Sequence, residues 1–508
     1  MLTMGEALAT NGRRYRDKVA LWYDDIQVTY SELDRRVNQA SRVLQSLGVG
    51  KGDHVALLLM NSIEYVELYF ACARTGAVAV PINLRLAPAE MAYVLGHSDS
   101  RVLVGDGQLL AAAFEAGMRP QGGALEKVLR VGPGADFLPA YESLRDAQSD
   151  DPFIVDVDEN DPWVLVYTSG TTGKPKGALR SHRSNLMIAL LLAAEFGITS
   201  DDIGLSLLPM FHVNGLWLVS LSLCLGTTMS IYHQRTFHPV RVIEEIKRHG
   251  ATYSMFVPSL LTFLADAAEK GDLDPGQLRL MITSSSPLST TLRDRIVQDF
   301  PNAHLIDIYG ATELGAVTWI RHGPGSVIGS IGLPALAQDV RIFDEDGSEV
   351  GPDEVGELYC AGPTLMDGYY KDPEATAAAF RGTYLAVGDL ARRTQAGYIY
   401  LVDRKTDMII TMGENVYPTE VEEVLTQHPS VALAAVVGLR DDRRGEEVVA
   451  VVSPREGHAV TAEELQELCA KLLADYKRPR RIFVWPELPI GATGKVLRRA
   501  VREQLSPS

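Results

Sequence analysis

The chain has 508 residues, of which 46% are hydrophobic and 22% are charged, a composition typical of folded globular proteins. This length predicts about two to four domains or subdomains. The net charge of −17 argues against nucleic acid as a general partner, because affinity for nucleic acid depends on clustered Lys and Arg. A nucleotide ligand is not excluded, since it needs only a local cationic site.

The four cysteines, Cys72, Cys224, Cys360 and Cys469, are far apart and form no CxxC motif. They predict neither a zinc site nor a disulfide framework, and they favour a reducing, cytoplasmic location. The first residues lack a basic region followed by an apolar run, so no signal peptide is predicted. The sequence leaves open whether the protein is a monomer or a homodimer.

The first part of the chain alternates between predicted helices and buried strands. Thr29-Tyr-Ser-Glu32 predicts a capping box that opens a helix, which ends at Gly48. A buried strand at 54–59, a helix at 63–74 and a strand at 77–80 follow. Near-continuous apolar strands separated by helices predict a parallel sheet covered on both faces.

A loop rich in Gly, Ser and Thr follows the predicted strand at 163–166. It reads Tyr-Thr-Ser-Gly-Thr-Thr-Gly-Lys-Pro-Lys-Gly over residues 167–177. Many N–H and O–H donors beside two lysines predict a polyphosphate-binding loop. It is not a Walker A motif, because only two residues separate Gly170 from Gly173 and Pro175 follows Lys174. The alternative is a flexible surface linker.

An almost uncharged stretch spans residues 215–231. We interpret it as a buried helix, a stop at Gly226 and a buried strand, with a membrane span as the alternative. The α/β pattern then continues, with helices predicted at 239–249, 258–270 and 288–300 and strands predicted at 253–257 and 278–284.

The pattern changes from residue 340, where short alternating strands with Gly-rich turns predict a small β-barrel or curved sheet. These strands are predicted at 340–344, 356–360 and 398–402. A polar turn at 403–406 precedes a strand at 408–411 and a second α/β pattern. There Pro418 starts a helix, strands follow at 431–438, 448–452 and 482–485, and a helix is predicted at 461–471.

These patterns predict an α/β protein with two domains. The large N-terminal domain, residues 1–403, would contain two α/β subdomains and a small β-barrel-like subdomain. The small α+β domain would comprise residues 404–508.

Four further motifs are ambiguous one by one. Tyr309-Gly-Ala-Thr-Glu313 could stack on a base and bind a hard cation, or it could be a strand end with a helix N-cap at Thr312. Asp389 could accept two ribose hydroxyls or be an ordinary turn residue. Lys495, after two glycines, is a cation on a short arm or a surface lysine. His212, among apolar residues, is most simply a core histidine.

The order and spacing of all these motifs are informative together. The loop at 167–177, Phe-His-Val-Asn-Gly at 211–215, Tyr-Gly-Ala-Thr-Glu at 309–313, Gly-Asp-Leu at 388–390, the segment 403–422 and Gly-Lys at 494–495 follow in that order. The chain resembles the adenylate-forming superfamily along essentially its whole length, and within it acyl-CoA synthetases most. The resemblance implies that ATP converts a carboxylate into an acyl-adenylate, which a thiol, usually that of CoA, then attacks with release of AMP.

The resemblance also implies roles for individual residues. Residues 168–176 would hold the β- and γ-phosphates, Thr168 and Glu313 would help to place Mg²⁺, and Tyr309 would stack on adenine. Thr312 would contact the α-phosphate, and Asp389 with Arg404 would hold the ribose. The residues that would bind ATP or AMP are Thr168, Ser169, Gly170, Thr171, Thr172, Gly173, Lys174, Lys176, Ser286, Pro287, Asp307, Ile308, Tyr309, Gly310, Ala311, Thr312, Asp389, Arg404 and Lys495.

Catalysis is assigned by the same resemblance to Lys495, Thr312, Glu313 and Lys176. Lys495 would bridge the substrate carboxylate and the α-phosphate. The small domain would then rotate about a hinge at Thr406, withdraw Lys495 and bring in a channel for CoA formed by Gly413, Glu414 and Asn415.

The expected acyl pocket comprises His212, Val213, Trp217, Ser284, Ser285, Gly310 and Ala311. His212 stands where amino-acid adenylation domains carry an aspartate, and Asp307 where malonate-type enzymes often carry an arginine. A largely apolar acid is therefore expected, either aromatic, medium-chain or bulky and cyclic. The serines at 284–286 predict a narrower or more polar pocket than in fatty-acid enzymes.

CoA is the expected acceptor, with an acyl-carrier protein as the alternative. The basic segments 440–444 and 477–481 are candidates for binding CoA phosphates or simply a solvated basic rim. A non-catalytic nucleotide-binding regulator is a further alternative, although the glycine loop, Glu313 and Lys495 are all present.

Overall fold

The computed structural model of the chain describes residues 3–118, 124–168, 175–233, 238–269, 278–285, 288–323, 325–405, 407–411, 414–441, 445–491 and 496–505. The chain divides into two compact units. The first contains residues 1–340 and 360–385, and the second contains residues 341–359 and 386–508. The predicted domain division between residues 403 and 404 stays a prediction.

The first unit alternates helices and strands as predicted. Its elements up to residue 334 are α1 (Met4–Arg14), β1 (Val19–Tyr23), β2 (Ile26–Thr29), α2 (Tyr30–Ser46), β3 (His54–Leu58), α3 (Ile63–Thr75), β4 (Val78–Pro81), α4 (Pro88–His97), β5 (Ser100–Asp106), α5 (Gly107–Glu115), β6 (Lys127–Val131), α6 (Tyr141–Asp146), β7 (Pro162–Thr168), β8 (Lys176–Ser181), α7 (His182–Phe196), β9 (Ile203–Ser206), α8 (Val213–Leu225), β10 (Thr228–Ile231), α9 (Pro239–His249), β11 (Tyr253–Phe256), α10 (Pro258–Glu269), β12 (Leu280–Thr283), α11 (Thr290–Asp299), β13 (His304–Ala311), β14 (Gly315–His322) and β15 (Leu333–Pro334).

The rest of the chain is richer in short strands. Its elements are β16 (Asp339–Phe343), β17 (Val355–Ala361), β18 (Gly368–Tyr369), α12 (Pro373–Ala379), β19 (Phe380–Arg381), β20 (Tyr384–Arg393), β21 (Ile399–Arg404), β22 (Ile409–Thr411), β23 (Glu414–Val416), α13 (Pro418–Thr426), β24 (Val431–Asp441), β25 (Gly445–Pro454), α14 (Ala462–Leu472), a 3₁₀ turn (Asp475–Lys477), β26 (Arg481–Val484) and α15 (Arg498–Leu505).

Two large sheets organise the first unit. A seven-stranded sheet has the order β18-β8-β7-β4-β3-β5-β6, and a nine-stranded sheet has the order β15-β14-β13-β12-β11-β9-β10-β1-β2. Strands β3, β4 and β5 pair in parallel, as do β9, β11, β12 and β13 in the other sheet. Every residue of β3 and β4 is buried, which explains their continuous apolar sequences.

The remaining strands form two smaller sheets. One has the order β16-β17-β20-β19, with β21 also pairing β20. The other has the order β23-β22-β25-β24, with β26 also pairing β25. The expected polar turn after residue 402 begins later, because β21 extends through Arg404 and pairs with β20.

The uncharged stretch at 215–231 forms the helix, stop and strand that the sequence predicts. Helix α8 ends at Gly226, whose φ of 80° is left-handed, and β10 follows with all residues buried. No helix in the ranges described above is long and apolar enough to cross a membrane.

The predicted capping box at Thr29 forms only in part. The Thr29 side chain accepts a hydrogen bond from the backbone N–H of Glu32, as expected. The Glu32 carboxylate instead accepts a bond from Arg36 Nη2, at 2.6 Å. An ion pair at i,i+4 has replaced the reciprocal half of the box.

A buried histidine in the first unit predicts a pH-dependent stability. His182 Nδ1 accepts a hydrogen bond from Met4 N at 3.3 Å, and the ring stacks on Trp163. Burial lowers the pKa of His182 to about 4, against the opposing charge of Asp161. The unfolded chain binds a proton near pH 6.5, so stability from this group is complete above that pH and is lost as the pH falls towards 4.

We therefore expect this one group to cost about 2 kcal/mol of unfolding free energy between pH 7.5 and pH 5. Urea unfolding of the wild type and His182→Asn at both pH values measures it, since Asn Oδ1 can still accept the bond from Met4. The variant should lose less stability on acidification. An identical pH dependence in both proteins would contradict the assignment.

Candidate active site

The predicted phosphate loop connects two antiparallel strands. Strand β7 ends at Thr168, β8 begins at Lys176, and these two residues lie opposite each other in the ladder. The buried strand before the loop is confirmed, whereas β8 was not predicted. Of the predicted loop residues, Ser169, Gly170, Thr171, Thr172, Gly173 and Lys174 lie outside the described residues.

The Tyr-Gly-Ala-Thr-Glu motif forms a hairpin. Strand β13 runs through Ala311, a turn covers 312–314, and β14 starts at Gly315. The alternative of a helix N-cap at Thr312 is therefore wrong. A Cβ on Gly310 would lie 2.1 Å from the carbonyl oxygen of Gly315, so only glycine fits. The absence of a side chain at Gly310 lets β14 approach β13 closely at this point.

The two motifs meet at the Glu313 carboxylate. Thr168 Oγ1 donates a hydrogen bond to Glu313 Oε1 at 3.0 Å, and the Tyr369 hydroxyl donates to the same oxygen at 3.2 Å. Thr312 and Glu313 are both buried. Lys176 Nζ lies 5.1 Å from the centre of the Tyr369 ring, close enough for a cation–π contact. Thr168, Lys176 and Glu313 are thus brought together as predicted.

Tyr369 is a site residue that the sequence analysis missed. It lies in β18, which pairs with β8 directly beyond the phosphate loop. Burial, with the Glu313 carboxylate adding to it, raises the pKa of Tyr369 above its ordinary value, so the hydroxyl remains a donor. Its sequence context, one of two adjacent tyrosines after a glycine, gives no sign of this contact.

The β13 residues that are expected to contact adenine lie in a regular strand. Ile308 is buried, while Asp307 and Tyr309 are half-buried on the other face, as the alternation of a strand requires. Asp307 lies opposite Ile320 and Tyr309 opposite Thr318. The other two expected contacts, Ser286 and Pro287, lie outside the described residues.

Asn214, which was not predicted, joins the two halves of the expected acyl pocket. Its Nδ2 donates to Ser284 Oγ at 2.9 Å and to Ser285 Oγ at 2.8 Å. Ser285 has a φ of 78°, a left-handed conformation that is unfavourable for serine. The serine hydroxyls thus already have a polar partner within the protein.

The other predicted acyl-pocket residues begin helix α8. His212 is the N-cap, and its Nδ1 accepts from Asn214 N at 3.4 Å. Val213 and Trp217 are buried, and the indole Nε1 of Trp217 donates to Asn185 Oδ1 at 3.2 Å. Gly310 and Ala311 lie at the end of β13.

In the second unit, the two expected ribose ligands are neighbours. Asp389 on β20 and Arg404 on β21 lie opposite each other, with Arg404 Nε 3.3 Å from Asp389 Oδ1. Asp389 is buried, whereas half of the Arg404 side chain is exposed. The pairing of β20 with β21 therefore brings together two residues fifteen positions apart, as the resemblance implied.

An ionic cluster that the sequence did not predict surrounds Arg498, the first residue of α15. Its Nε and Nη2 donate to the two oxygens of Glu422 at 2.8 and 2.6 Å, and its Nη1 donates to Asp403 and Asp407, both at 3.0 Å. Nη2 also donates to Thr419 Oγ1 at 3.0 Å. Burial opposes protonation, but the three carboxylates outweigh it and raise the pKa of Arg498.

Several predicted residues of this unit lie outside the described residues. These are the hinge residue Thr406, the channel residue Gly413, the side chains of Glu414 and Asn415, and Lys495. The residues on either side of the segment that carries Lys495 are paired. Ile490 pairs with Val496, and Leu497 N donates to Pro489 O at 2.8 Å.

The basic segment 477–481 is occupied by ion pairs. Lys477 Nζ lies 2.7 Å from Glu420 Oε1, and Arg480 Nη2 lies 2.7 Å from Asp475 Oδ2. Arg481 Nη2 lies 2.6 Å from Glu447 Oε2. These contacts favour the interpretation of a solvated rim over a phosphate-binding patch.

Residues 8–370 match the family described as AMP-binding enzyme, and residues 420–495 match the AMP-binding enzyme C-terminal domain. The chain belongs to the AMP-binding enzyme family.

Relatives and solved structures agree with this assignment. The feruloyl-CoA synthase of an Amycolatopsis species is 35% identical over 94% of this chain and 94% of its own length. The long-chain-fatty-acid–CoA ligase FadD13 of Mycobacterium tuberculosis H37Rv is 34% identical over 95% and 94% of the two chains. The structure of o-succinylbenzoate CoA synthetase (MenE) from Bacillus subtilis with its acyl-adenylate intermediate has a TM-score of 0.85, 30% identity and 98% and 97% coverage.

These similarities confirm two predictions. The first is an adenylate-forming, acyl-CoA-synthetase-like enzyme, a class that joins acids to CoA with ATP. The second is the α/β fold with a large N-terminal and a small C-terminal domain.

Proposed function

We propose that the protein activates a largely apolar carboxylic acid as an acyl-adenylate with release of pyrophosphate, and then transfers the acyl group to CoA with release of AMP. The observation that carries this proposal is the hydrogen bond between Thr168 and Glu313. It joins Thr168, before the predicted phosphate loop, to the turn of the Tyr-Gly-Ala-Thr-Glu motif, so two segments proposed to bind ATP are adjacent.

The chemistry requires charge neutralisation and alignment more than covalent catalysis. The attacking carboxylate and the triphosphate are both anions, so they repel unless the protein holds them in line. Lys176 and the phosphate loop would hold the β- and γ-phosphates, Thr312 the α-phosphate, and Asp389 with Arg404 the ribose. Lys495 would bridge the carboxylate and the α-phosphate.

Magnesium fits the residues around Glu313. Mg²⁺ is usually held by one or two carboxylates together with substrate phosphates and waters. Among the described residues, no group of three or more His, Cys, Asp or Glu side chains could hold a metal alone. The Glu313 carboxylate and the Thr168 hydroxyl, 3.0 Å apart, match the small number of protein ligands that Mg²⁺ usually takes. When bound, it would neutralise charge on the departing pyrophosphate.

A test of this site is Glu313→Gln, which keeps an oxygen that can accept from Thr168 and Tyr369. We expect the Mg²⁺ concentration for half-maximal pyrophosphate release to rise at least about tenfold. Glu447→Gln, at a surface ion pair with Arg481, is the matched control and should behave like the wild type. An unchanged Mg²⁺ dependence in Glu313→Gln would remove Glu313 from the metal site.

The acid is proposed to be aromatic, medium-chain or bulky and cyclic. Two residues support this class of acid. His212, the N-cap of α8, stands where amino-acid adenylation domains carry an aspartate, so no carboxylate is present there for the α-ammonium group of an amino acid. Asp307 would repel a second carboxylate on the substrate. Ser284 and Ser285 each accept a hydrogen bond from Asn214, so part of their polar capacity is satisfied within the protein. The acids named for two relatives, ferulic acid and long-chain fatty acids, are also largely apolar, whereas o-succinylbenzoate, the acid of a third, carries a second carboxylate.

The second half-reaction would follow a rotation of the C-terminal domain about Thr406, which brings the segment 413–415 to the acyl-adenylate. CoA is the proposed acceptor because the named relatives are CoA ligases. We also propose a cytoplasmic location, which the four free thiols favour.

Pyrophosphate release from ATP against a panel of carboxylic acids tests the first half-reaction. The second half-reaction is tested by repeating the assay with CoA or an acyl-carrier protein and detecting the thioester by mass spectrometry. No pyrophosphate release with any aromatic, medium-chain or cyclic acid would contradict the proposed substrate class. A thioester on the carrier protein but not on CoA would show that the enzyme loads an acyl-carrier protein.

A further inference from the structure

Arg180 is a buried cation directly behind the turn of the Tyr-Gly-Ala-Thr-Glu motif. It lies in β8, four residues after Lys176, and its surface is 0% exposed. Nη1 donates to the carbonyl oxygen of Thr312 at 2.7 Å, and Nη2 donates to the carbonyl oxygen of Thr364 at 2.6 Å. The guanidinium carbon lies 5.4 Å from the Trp217 ring centre. The Arg180 side chain therefore contacts Thr312 in the motif turn, Thr364 in a neighbouring segment, and Trp217 of the expected acyl pocket.

Carboxylates do not neutralise Arg180 at close range. Within the described residues, its hydrogen bonds go to two carbonyl oxygens and to no carboxylate, and its Nε is buried with no hydrogen-bond partner. Burial lowers the pKa of Arg180 to about 10, with the charges of Asp367 and Glu313 acting against burial. The side chain is thus still positively charged at neutral pH, and it is held by two neutral carbonyl groups.

The carbonyls of the turn are all bound from one side. Arg180 binds that of Thr312, the backbone N–H of Met366 donates to that of Glu313 at 2.8 Å, and Thr364 Oγ1 donates to that of Leu314 at 2.7 Å. Arg180 also binds the carbonyl of Thr364 itself. It therefore connects the turn to the segment that supports the turn, and its removal would loosen both.

We propose that Arg180 is a positioning residue for adenylation, which fixes the main chain of the Thr312–Glu313 turn and adds positive charge behind it. This inference rests on the proposed function, in which that turn contacts the α-phosphate and helps to place Mg²⁺. Arg180 itself touches neither. An anionic nucleotide in front of the turn would supply the negative charge that the buried guanidinium lacks.

The test uses Arg180→Met, which keeps most of the volume without charge or donors, and Arg180→Lys, which keeps the charge but loses the planar fork. Arg74→Met is the matched control, because Arg74 is also buried, binds Asp34 and Asn38, and lies outside the proposed site. Calorimetry gives the Kd for MgATP, and single-turnover assays follow acyl-adenylate formation and thioester formation from a synthetic acyl-adenylate. All rates are normalised to the folded fraction.

For Arg180→Met we expect acyl-adenylate formation to fall about 10- to 100-fold and the Kd for MgATP to rise at least about threefold. Thioester formation from the synthetic intermediate should change less than about threefold, because it needs no metal-bound pyrophosphate. The rate of acyl-adenylate formation and the Kd for MgATP of Arg180→Lys should lie between those of the wild type and Arg180→Met. Arg74→Met should lose stability but keep both half-reactions and the Kd.

Equal losses in both half-reactions, or unchanged adenylation and MgATP binding, would overturn the inference. The same split in Arg74→Met would do so too, since the effect would then be one of general destabilisation. If Arg180→Met fails to fold, Arg180→Lys carries the test, with a loss of at least about threefold confined to adenylation and MgATP binding. If the wild type activates no acid, the proposed function fails, while the Kd for MgATP still reports on Arg180.

Discussion

Lys495→Ala is expected to abolish acyl-adenylate formation while retaining thioester formation from a synthetic acyl-adenylate. Lys495 is proposed to neutralise the substrate carboxylate and the α-phosphate as they approach, so its loss should slow adenylation at least about 100-fold. The thiol attack needs no such bridge, and we expect it to change less than about threefold. Rapid-quench assays of each half-reaction, with ATP and acid or with acyl-adenylate and CoA, measure the two rates.

The structure supports this experiment in two ways. Ile490 pairs with Val496 on either side of the segment, and we expect the variant to keep its fold. Arg499→Ala is the matched control, because Arg499 is an exposed cation on the next helix that pairs with Glu503. It should leave both rates unchanged. A similar loss of both half-reactions in Lys495→Ala would contradict domain rotation between them.

Arg498→Met is expected to cost the second unit about 3–5 kcal/mol, because removing one partner of a buried ion cluster leaves the others uncompensated. The Asp403 side chain is 1% exposed, and the Glu422 side chain 17% exposed. Asp403 also accepts from Thr419 N and Glu422 from Val436 N, so both carboxylates are held in place without Arg498. They cannot turn to water without breaking backbone contacts.

Hydrogen exchange of α13 and α15 measures this effect. Amide protection in both helices should fall by about two to four orders of magnitude in Arg498→Met. Arg481→Met is the control, since Arg481 forms an ion pair with Glu447 at the surface and should cost less than about 1 kcal/mol. Equal exchange in the two variants would show that the cluster contributes no more than a surface pair.

The sequence predicted most of what depends on neighbouring residues. The apolar runs of β3, β4, α8 and β10 have the expected structure, because burial on both faces leaves little choice of residue. The resemblance to a known family implied shared roles for Thr168 with Glu313 and for Asp389 with Arg404, and the members of each pair are neighbours. These pairs needed no knowledge of the sheet order.

The residues that were missed depend on pairing between distant segments. Arg180 and Thr312 are 132 positions apart, and Arg498 and Asp403 are 95 apart. Tyr369 reaches Glu313 only because β18 joins the edge of the seven-stranded sheet beside β8. An arginine in a strand or a tyrosine after a glycine has no local pattern that indicates such a partner. The missed half of the capping box at Thr29 shows the reverse case, in which a local ion pair competes with a local motif.

The hairpin that carries the phosphate loop has a consequence for protein engineering. Because Thr168 and Lys176 face each other across the ladder, the chain enters and leaves the loop at adjacent points that the sheet fixes. Lengthening a loop with fixed ends is inexpensive, at roughly 0.6 kcal/mol for each doubling of its length. The strand register, and with it the fold, should therefore tolerate grafted loops of different length. The phosphate contacts proposed for this loop could therefore be changed by design separately from stability.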